Sequence, residues 1–264
     1  MRTIQELFDM EGRVAIVTGG AGKLGFQMAT ALAEAGCHLV LCSRNVDNCK
    51  EKAAQLSEKH NEAIGLRCDV TDPAEIRTMV DEVMKKWGHI DVLVNNTAGG
   101  RGQLGPLAFE NLSLEDWNYS IAATLTSQFL VTQAVGPIMV KQGKGSIVNI
   151  GSIYGIVSAD QRIYGDTSIN SPVWYAAAKG GVANLTRFIA TYWARDGVRC
   201  NCICPGGFGN GHDPYFHEKY CRKAPLDRMG NEEDLKGAIV YLASDASEFV
   251  TGHILMVDGG WTIW

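Results

Sequence analysis

Seven short apolar runs, most of them separated by stretches with helical periodicity, constrain the fold of this chain more than any other feature. Strands and helices that alternate in this way are typical of βαβ units. The runs are apolar at nearly every position, which indicates strands of a parallel sheet covered on both faces. The sequence therefore predicts a doubly wound α/β fold that binds ligands at the carboxyl ends of its strands. The predicted strands are Arg13–Thr18, His38–Cys42, Ile64–Cys68, Val92–Asn95, Ser146–Ile150, Arg199–Cys204 and Ile254–Val257.

Length and composition indicate one enzyme-sized domain over residues 1–264. The chain is 46% hydrophobic, enough to bury a large core, and no composition shift marks a linker. With a net charge of −5 and scattered Lys and Arg, it presents no basic stripe for nucleic acid. No apolar run approaches the roughly 20 residues that span a bilayer, and the chain shows no secretory leader. The polar N-terminal segment is expected to form a short helix. We therefore expect a cytoplasmic protein with a small-molecule substrate.

The eight cysteines are expected to be reduced thiols. Cys200, Cys202 and Cys204 alternate along one predicted strand, so their side chains should point the same way. Metal sites favour two to four intervening residues, which makes a zinc site the weaker reading of this pattern. The sequence predicts no metal site, and these three residues are interpreted as small buried hydrophobic side chains.

Two segments, 155–173 and 206–230, are too long and too polar to be simple connectors. Long loops in compact domains are usually functional or disordered. We interpret both as walls or lids of a substrate pocket, and a solvated loop is the alternative.

A glycine-rich turn, TGGAGKLG, follows the first predicted strand and precedes an Ala-rich helix over Phe26–Ala35. Strand, glycine turn and helix in this order bring backbone N–H groups and the positive end of a helix to a pyrophosphate. The alternative is a tight turn that merely needs positive φ. The residues expected to surround the phosphates are Gly19, Ala21, Gly22, Lys23, Leu24 and Gly25.

The end of the second strand bears on cofactor choice. NAD-selective sites usually carry a carboxylate there for the ribose 2′-hydroxyl, but this chain has Ser43 and Arg44. A guanidinium can pair with a 2′-phosphate, and Lys23 adds positive charge nearby. We therefore predict NADP in preference to NAD, with a solvated surface arginine as the alternative. Asp69 and Val70 close the third strand at the same edge, where Asp69 binds the adenine or caps the next turn.

Ser152, Tyr175 and Lys179 are the candidate catalytic residues. Tyr175 and Lys179 are four residues apart on a predicted helix, so they share one face. A phenol with a pKa near 10 exchanges protons poorly at neutral pH unless a cation stabilises its ionised form, and an ammonium one turn away does so. Ser152 follows the fifth strand and can hold the substrate oxygen. A Tyr and a Lys at this spacing are common by chance, so the argument depends on the ordered set.

The set as a whole resembles the classical short-chain dehydrogenase/reductase family. The resemblance implies a Rossmann-type sheet of about seven strands, a nicotinamide cofactor and a homotetramer. It also implies that Tyr175 is the general acid/base, that Lys179 lowers its pKa and holds the nicotinamide ribose, and that Ser152 orients the substrate. It places Asn96, Pro205, Gly206 and Phe208 beside the cofactor. The matching motifs are TGGAGKLG, the Asp69 segment, Asn95-Asn96, Gly151–Ile153, Tyr175–Lys179, Pro205-Gly206 and Thr251–Trp261.

Three departures from the family pattern stand out. Lys23 replaces the usual middle glycine of the turn. Thr124 stands where the family usually has an Asn that anchors a water in a proton relay. Ser152 and Tyr175 are 23 positions apart, so some ten residues are inserted between them. Thr124 is the only sequence support for a nucleotide-binding sensor without turnover.

The insertion indicates the substrate, because it is rich in hydrogen-bonding side chains of the kind a hydroxyl-recognising site needs. Arg101, Arg162 and Arg222 are candidate clamps for a substrate carboxylate, with an ordinary exposed surface as the alternative, and Asn210 is another candidate contact. Within the family, the SRN turn and the VDGGWT ending resemble sugar-acid and polyol dehydrogenases such as gluconate 5-dehydrogenase. The IYG and SPxxY motifs resemble oxidoreductases of nonulosonic-acid and flagellin-sugar biosynthesis. The predicted function is an NAD(P)-dependent interconversion of a secondary alcohol and a ketone on a sugar, sugar acid or polyol. The enzymatic alternative is 3-oxoacyl-carrier-protein reduction.

Overall fold

A computed structural model describes residues 1–99, 109–167, 170–209 and 211–264. Its seven strands form one sheet in the order β3-β2-β1-β4-β5-β6-β7, and each neighbouring pair is parallel. The doubly wound prediction is confirmed, and every strand lies within one residue of its predicted bounds. The prediction of one domain is consistent with this single sheet. The strands are β1 (Val14–Thr18), β2 (His38–Ser43), β3 (Ala63–Arg67), β4 (Val92–Asn95), β5 (Gly145–Ile150), β6 (Val198–Pro205) and β7 (Ile254–Val257).

Helices connect the strands and cover the sheet. The short N-terminal helix is confirmed, and Thr3 and Glu6 form a capping box at its start. The helices are α1 (Ile4–Phe8), α2 (Lys23–Glu34), α3 (Val46–Ser57), α4 (Pro73–Trp87), α5 (Leu114–Ile121), α6 (Ser127–Gln142), α7 (Val173–Trp193), α8 (Pro214–Lys223) and α9 (Lys236–Ala243).

Two apolar layers hold the sheet between the helices. On one face, α2, α3 and α9 pack their buried side chains against residues such as Val17 and Leu39. On the other face, α4, α6 and α7 pack against residues such as Ile16 and Ile147. Successive strand residues therefore point into different layers, which explains why the runs are apolar without alternation. No helix of the described residues is long and apolar enough to cross a membrane.

All eight cysteines are free and buried. Cys202 and Cys204 point the same way, with their Sγ atoms 3.7 Å apart, and both pack against Val182 of α7. Burial among apolar side chains agrees with their interpretation as small hydrophobic residues. Within the described ranges, no group of three or more His, Cys, Asp or Glu side chains is arranged to hold a metal ion.

The site is placed by the sheet order. The chain moves outwards from β1 through β2 to β3 and then returns to add β4 on the other side of β1. Such a reversal opens a crevice at the carboxyl ends of the two central strands. The glycine turn after β1 and Asn96 after β4 meet in this crevice, where Asn96 N–H donates to Thr18 Oγ1 (3.0 Å).

Candidate active site

The glycine turn between β1 and α2 is a tight backbone cradle. Gly19 has φ +61°, a left-handed conformation that favours glycine. A side chain at Gly25 would clash with the carbonyl oxygen of Gly19, so the helix can approach the turn only with glycine there. Helix α2 begins at Lys23 and not at the predicted Phe26, because Gly22 takes the extended N-cap conformation inside the turn. Its N-terminal N–H groups therefore lie within the cradle.

Asn96 supports this cradle from below. Its Nδ2 donates to the carbonyl oxygens of Thr18 (3.0 Å) and Gly19 (3.2 Å), which fixes the turn against β4. Asn96 was predicted beside the cofactor, and this position makes it a support of the phosphate turn.

Lys23 spans the cleft above the cradle. It is exposed, and its Nζ lies so close to Gly209 that a side chain at Gly209 would clash with it. The substitution of the usual glycine therefore brings an ammonium between the glycine turn and the segment after β6. That charge is well placed for a phosphate.

A cavity of about 140 Å³ continues from the cradle over the ends of β2 and β3. Ser43, Arg44, Asp69 and Val70 line it, as the sequence predicted for the adenosine end of a dinucleotide. Burial raises the pKa of Asp69, but hydrogen bonds from Thr71 outweigh burial and keep that pKa below its usual value. Asp69 is therefore an anion that caps its own turn.

Tyr119 of α5 also lines this cavity, and sequence reasoning missed it. Its hydroxyl accepts a hydrogen bond from Arg44 Nη1 at 3.0 Å. The two residues are 75 positions apart in the sequence, so no local pattern predicts their contact.

These residues fit a nicotinamide dinucleotide. The cradle offers backbone donors and the positive end of α2 to a pyrophosphate. Two cations, Lys23 and Arg44, stand at the phosphate and ribose positions, and the cavity has no acid directly after β2 where NAD sites usually carry one.

Ser152, Tyr175 and Lys179 meet at the end of β5. Ser152 is buried and caps a short 3₁₀ turn, and its Oγ accepts the N–H of Tyr154 (3.2 Å). Lys179 is 2% exposed, and its Nζ donates to the carbonyl oxygen of Ile150 (2.6 Å) and lies 5.7 Å from the centre of the Tyr175 ring. The spacing of four on α7 thus stacks the phenol and the ammonium on one face, as predicted.

Burial shifts the acidity of both groups. It raises the pKa of Tyr175 above its ordinary value of 10, although a hydrogen bond with Ser152 opposes that rise. It lowers the pKa of Lys179 to about 8, because desolvation disfavours the ammonium. Below about pH 8 the two groups hold both protons, and above it the lysine has lost its proton while the phenol keeps its own.

Thr124 lies in a π-helical turn, Ala122–Thr126, between α5 and α6. Its Oγ1 donates to the carbonyl oxygen of Gly99 (3.2 Å) and accepts the N–H of Gly99 (3.3 Å). Thr124 therefore ties the segment after β4 to the helix pair, at a buried point of the cleft wall.

The predicted substrate contacts fall in different places. Arg162 is exposed and forms a bidentate pair with Asp160 (2.8 and 2.9 Å), so its guanidinium is already bound to a carboxylate. Its role as a carboxylate clamp stays a prediction without support from this geometry. Arg101 and Asn210 lie outside the described residues, and their roles also stay predictions.

The second long segment is more regular than predicted, because it contains α8. Asp213 caps this helix by accepting the N–H groups of Tyr215 and Phe216, and Pro214 occupies its first turn. The Asp213-Pro214 pair is a local helix start signal that the sequence carries.

The other predicted cofactor positions open this second segment. Pro205 ends β6, and Gly206 N–H donates to Val257 O (3.0 Å). Phe208 bridges to Gly230. These residues form the wall of the crevice beyond the cradle.

Comparison with known proteins agrees with this geometry. Residues 19–262 match the family described as Enoyl-(Acyl carrier protein) reductase. The chain is 35% identical to the D-threitol dehydrogenase of Mycolicibacterium smegmatis, over 97% of this chain and 95% of that protein. It is 34% identical to the gluconate 5-dehydrogenase of Gluconobacter oxydans, over 98% of each. Among solved structures, a gluconate 5-dehydrogenase from Burkholderia cenocepacia in complex with NADP and tartrate superposes with a TM-score of 0.88 at 33% identity, covering 99% of this chain and 100% of that one. The chain therefore belongs to the short-chain dehydrogenase/reductase family of oxidoreductases.

Proposed function

We propose that this protein interconverts a secondary alcohol and a ketone on a sugar, sugar acid or polyol, with NADP(H) as its preferred cofactor. The observation that carries the proposal is the convergence of Ser152, Tyr175 and Lys179 at the end of β5, beside the dinucleotide cradle. The threitol and gluconate dehydrogenases to which the chain is similar favour a polyhydroxylated substrate.

Each catalytic side chain has one role in the proposed reaction. Ser152 donates a hydrogen bond to the substrate oxygen, and Tyr175 donates its proton to that oxygen during reduction and accepts it during oxidation. Lys179 supplies the nearby positive charge that favours the phenolate. When bound, the nicotinamide supplies the hydride in one direction and accepts it in the other.

A substrate panel tests the proposal. Polyols, sugar acids and their keto forms are assayed with both nicotinamide cofactors, and the nicotinamide absorbance is followed. We expect turnover of at least one hydroxylated substrate. Turnover of a 3-oxoacyl-carrier-protein alone would favour the fatty-acid alternative, and nucleotide binding without any turnover would favour a sensor.

The preference for NADP rests on two cations. Arg44 stands at the end of β2, where its guanidinium reaches the ribose end of the cavity, and Lys23 lies above the phosphate cradle. Arg44 donates to Tyr119, which keeps its guanidinium over the cavity.

We expect Arg44→Ala to weaken NADPH binding roughly 10-fold or more and to leave NADH binding within about twofold, since only NADPH carries the 2′-phosphate. Titration of cofactor fluorescence measures both affinities. Arg77→Ala is a matched control, because Arg77 is an exposed arginine on α4. Equal losses for both cofactors would contradict the role of Arg44.

A homotetramer is proposed for the assembly. Helices α6 and α7 expose Phe129, Phe188 and Tyr192, whose side chains are 44%, 63% and 67% exposed. Phe188 and Tyr192 stack with ring centres 5.8 Å apart, and paired apolar exposure of this kind marks interaction surfaces. Light scattering during size exclusion should give four times the chain mass, and Phe188→Asp should lower the measured mass. A monomeric mass for the unaltered chain would refute the tetramer.

A cytoplasmic location is proposed from the eight reduced cysteines.

A further inference from the structure

Two tyrosines outside the catalytic set stand beside it. Tyr154 follows Ser152 by two residues, and its N–H donates to Ser152 Oγ (3.2 Å). Tyr164 comes from the inserted segment and brings its hydroxyl within 3.2 Å of the Tyr154 hydroxyl. The insertion therefore adds a phenol to the wall that begins at the catalytic serine.

Aromatic packing holds both rings in place. Tyr164 is buried and stacks on Phe216 of α8, with ring centres 5.1 Å apart and planes 12° from parallel. Tyr154 meets Trp261 edge to face at 5.8 Å. Because the rings are fixed by three separate segments, their hydroxyls are preorganised and need little ordering when a ligand binds.

The pair is uncharged. Burial raises the pKa of both phenols, and the nearby Tyr175 adds to the rise, so both keep their protons at neutral pH. Two cations beside the same aromatic cluster are also neutralised. Lys223 (2.7 Å) and Arg162 (2.8 Å) both bind Asp160, which fixes their charges on a carboxylate of the protein itself.

The hydrogen-bonding capacity of the pair indicates its ligand. Each phenol has one donor and an acceptor oxygen. Tyr164 bonds both Tyr154 and Ser171, and with Ser171 as a donor these bonds leave one phenolic O–H and free lone pairs. An alcohol, which both donates and accepts, matches this pattern, whereas a carboxylate only accepts. Trp261 Nε1, in the same aromatic cluster, is buried and has no hydrogen-bond partner among the described residues. A buried donor without a partner is costly, so a further acceptor is expected from a ligand.

We propose that Tyr154 and Tyr164 form a hydroxyl-recognition pair that selects substrates with a neutral hydroxyl near the reacting carbon. The proposal rests on the proposed function and deepens it, because it assigns specificity for polyhydroxylated substrates to two residues of this chain.

Tyr154→Phe and Tyr164→Phe test the pair by removing one hydroxyl each and keeping the ring. The probes are erythrulose and 5-ketogluconate, which carry hydroxyls beside the carbonyl, and 2-butanone, which carries none. We expect kcat/KM to fall roughly 10-fold on the hydroxylated ketones and to stay within about twofold on 2-butanone. Tyr241→Phe, on α9 at the other face of the sheet, is the matched control and should change neither.

Two further measurements separate the outcomes. Thermal unfolding close to that of the unaltered chain shows that each variant folds. The pH dependence of reduction should be unchanged, because the pair contacts substrate and does not act through Tyr175. An unchanged kcat/KM on the hydroxylated ketones, an equal loss on 2-butanone, or a shifted pH profile would overturn the pair while leaving the proposed function intact. Failure of the unaltered chain to reduce any hydroxylated ketone would overturn both.

Discussion

Tyr175→Phe should lower turnover roughly 1,000-fold or more, because it removes the phenolic proton that is transferred to the substrate oxygen and leaves the ring in place. The phenol forms a hydrogen bond with Ser152, and the substitution removes that bond while Ser152 Oγ still accepts the N–H of Tyr154. The dinucleotide cradle lies on other elements, the turn after β1 and the ends of β2 and β3. Cofactor binding should therefore stay within about twofold. Steady-state rates and cofactor fluorescence measure the two effects separately.

The control for Tyr175→Phe is Tyr241→Phe, the same chemical change on α9 at the other face of the sheet. Normal turnover is expected for the control. If Tyr175→Phe kept more than about a tenth of the original rate, another group would have to be the proton donor. If it lost turnover and cofactor affinity together, the Tyr175 hydroxyl would be part of the cofactor site and the separation of roles would fail.

The central strands could be predicted from sequence because their environment is uniform. Every residue of β1 and β4 is buried, so an uninterrupted apolar run is the local signature of a strand covered on both faces. The glycine turn could also be predicted from local sequence. Gly19 takes a positive φ, and Gly25 lets the helix approach the turn closely. The position of the catalytic pair on one face of α7 follows from helix geometry alone.

The rest of the site depends on contacts between distant segments. Tyr119 meets Arg44 from another helix, and Tyr164 reaches Tyr154 only because the insertion packs on α8. A sequence shows that such side chains exist but not which of them meet. The same reason explains Arg162, whose charge looked available until the fold placed Asp160 between it and Lys223.

The sign of the pH dependence follows from the Tyr175–Lys179 pair. Burial lowers the pKa of Lys179 to about 8, so the pair loses its first proton near that pH. Alcohol oxidation needs the pair in the form that has lost one proton, because the pair must accept the proton of the substrate. Ketone reduction needs the form that holds both protons. We expect kcat/KM for oxidation to rise with pH and level off above about 8, and kcat/KM for reduction to fall above about 8. Profiles of kcat/KM against pH for oxidation and for reduction, at constant ionic strength, measure these opposite trends.

Lys179→Met should abolish the change in both rates near pH 8. Without the lysine the first proton must come from Tyr175, whose pKa burial raises above 10. A shift of two or more pKa units means roughly 100-fold less base at pH 7. Oxidation should therefore fall by at least that factor and should keep rising through pH 8 to 10 without a plateau. Lys141→Met, at an exposed position on α6, is the control and should keep the plateau.

Lys179→Met should lower activity without lowering the stability of the fold. The folded-state pKa of Lys179 lies below its unfolded value, so the unfolded chain binds more protons between about pH 8 and 10.5 and the fold gains stability as pH rises through that window. Below pH 8 the buried ammonium costs the fold on the order of 3 kcal/mol. Lys179→Met removes this cost, although it also removes the bond to Ile150 O. We expect a melting temperature at pH 7 no lower than that of the unaltered chain. A variant that is both unstable and inactive would mean that the lysine is needed to hold the fold, and the proton chemistry assigned to it would lose its support.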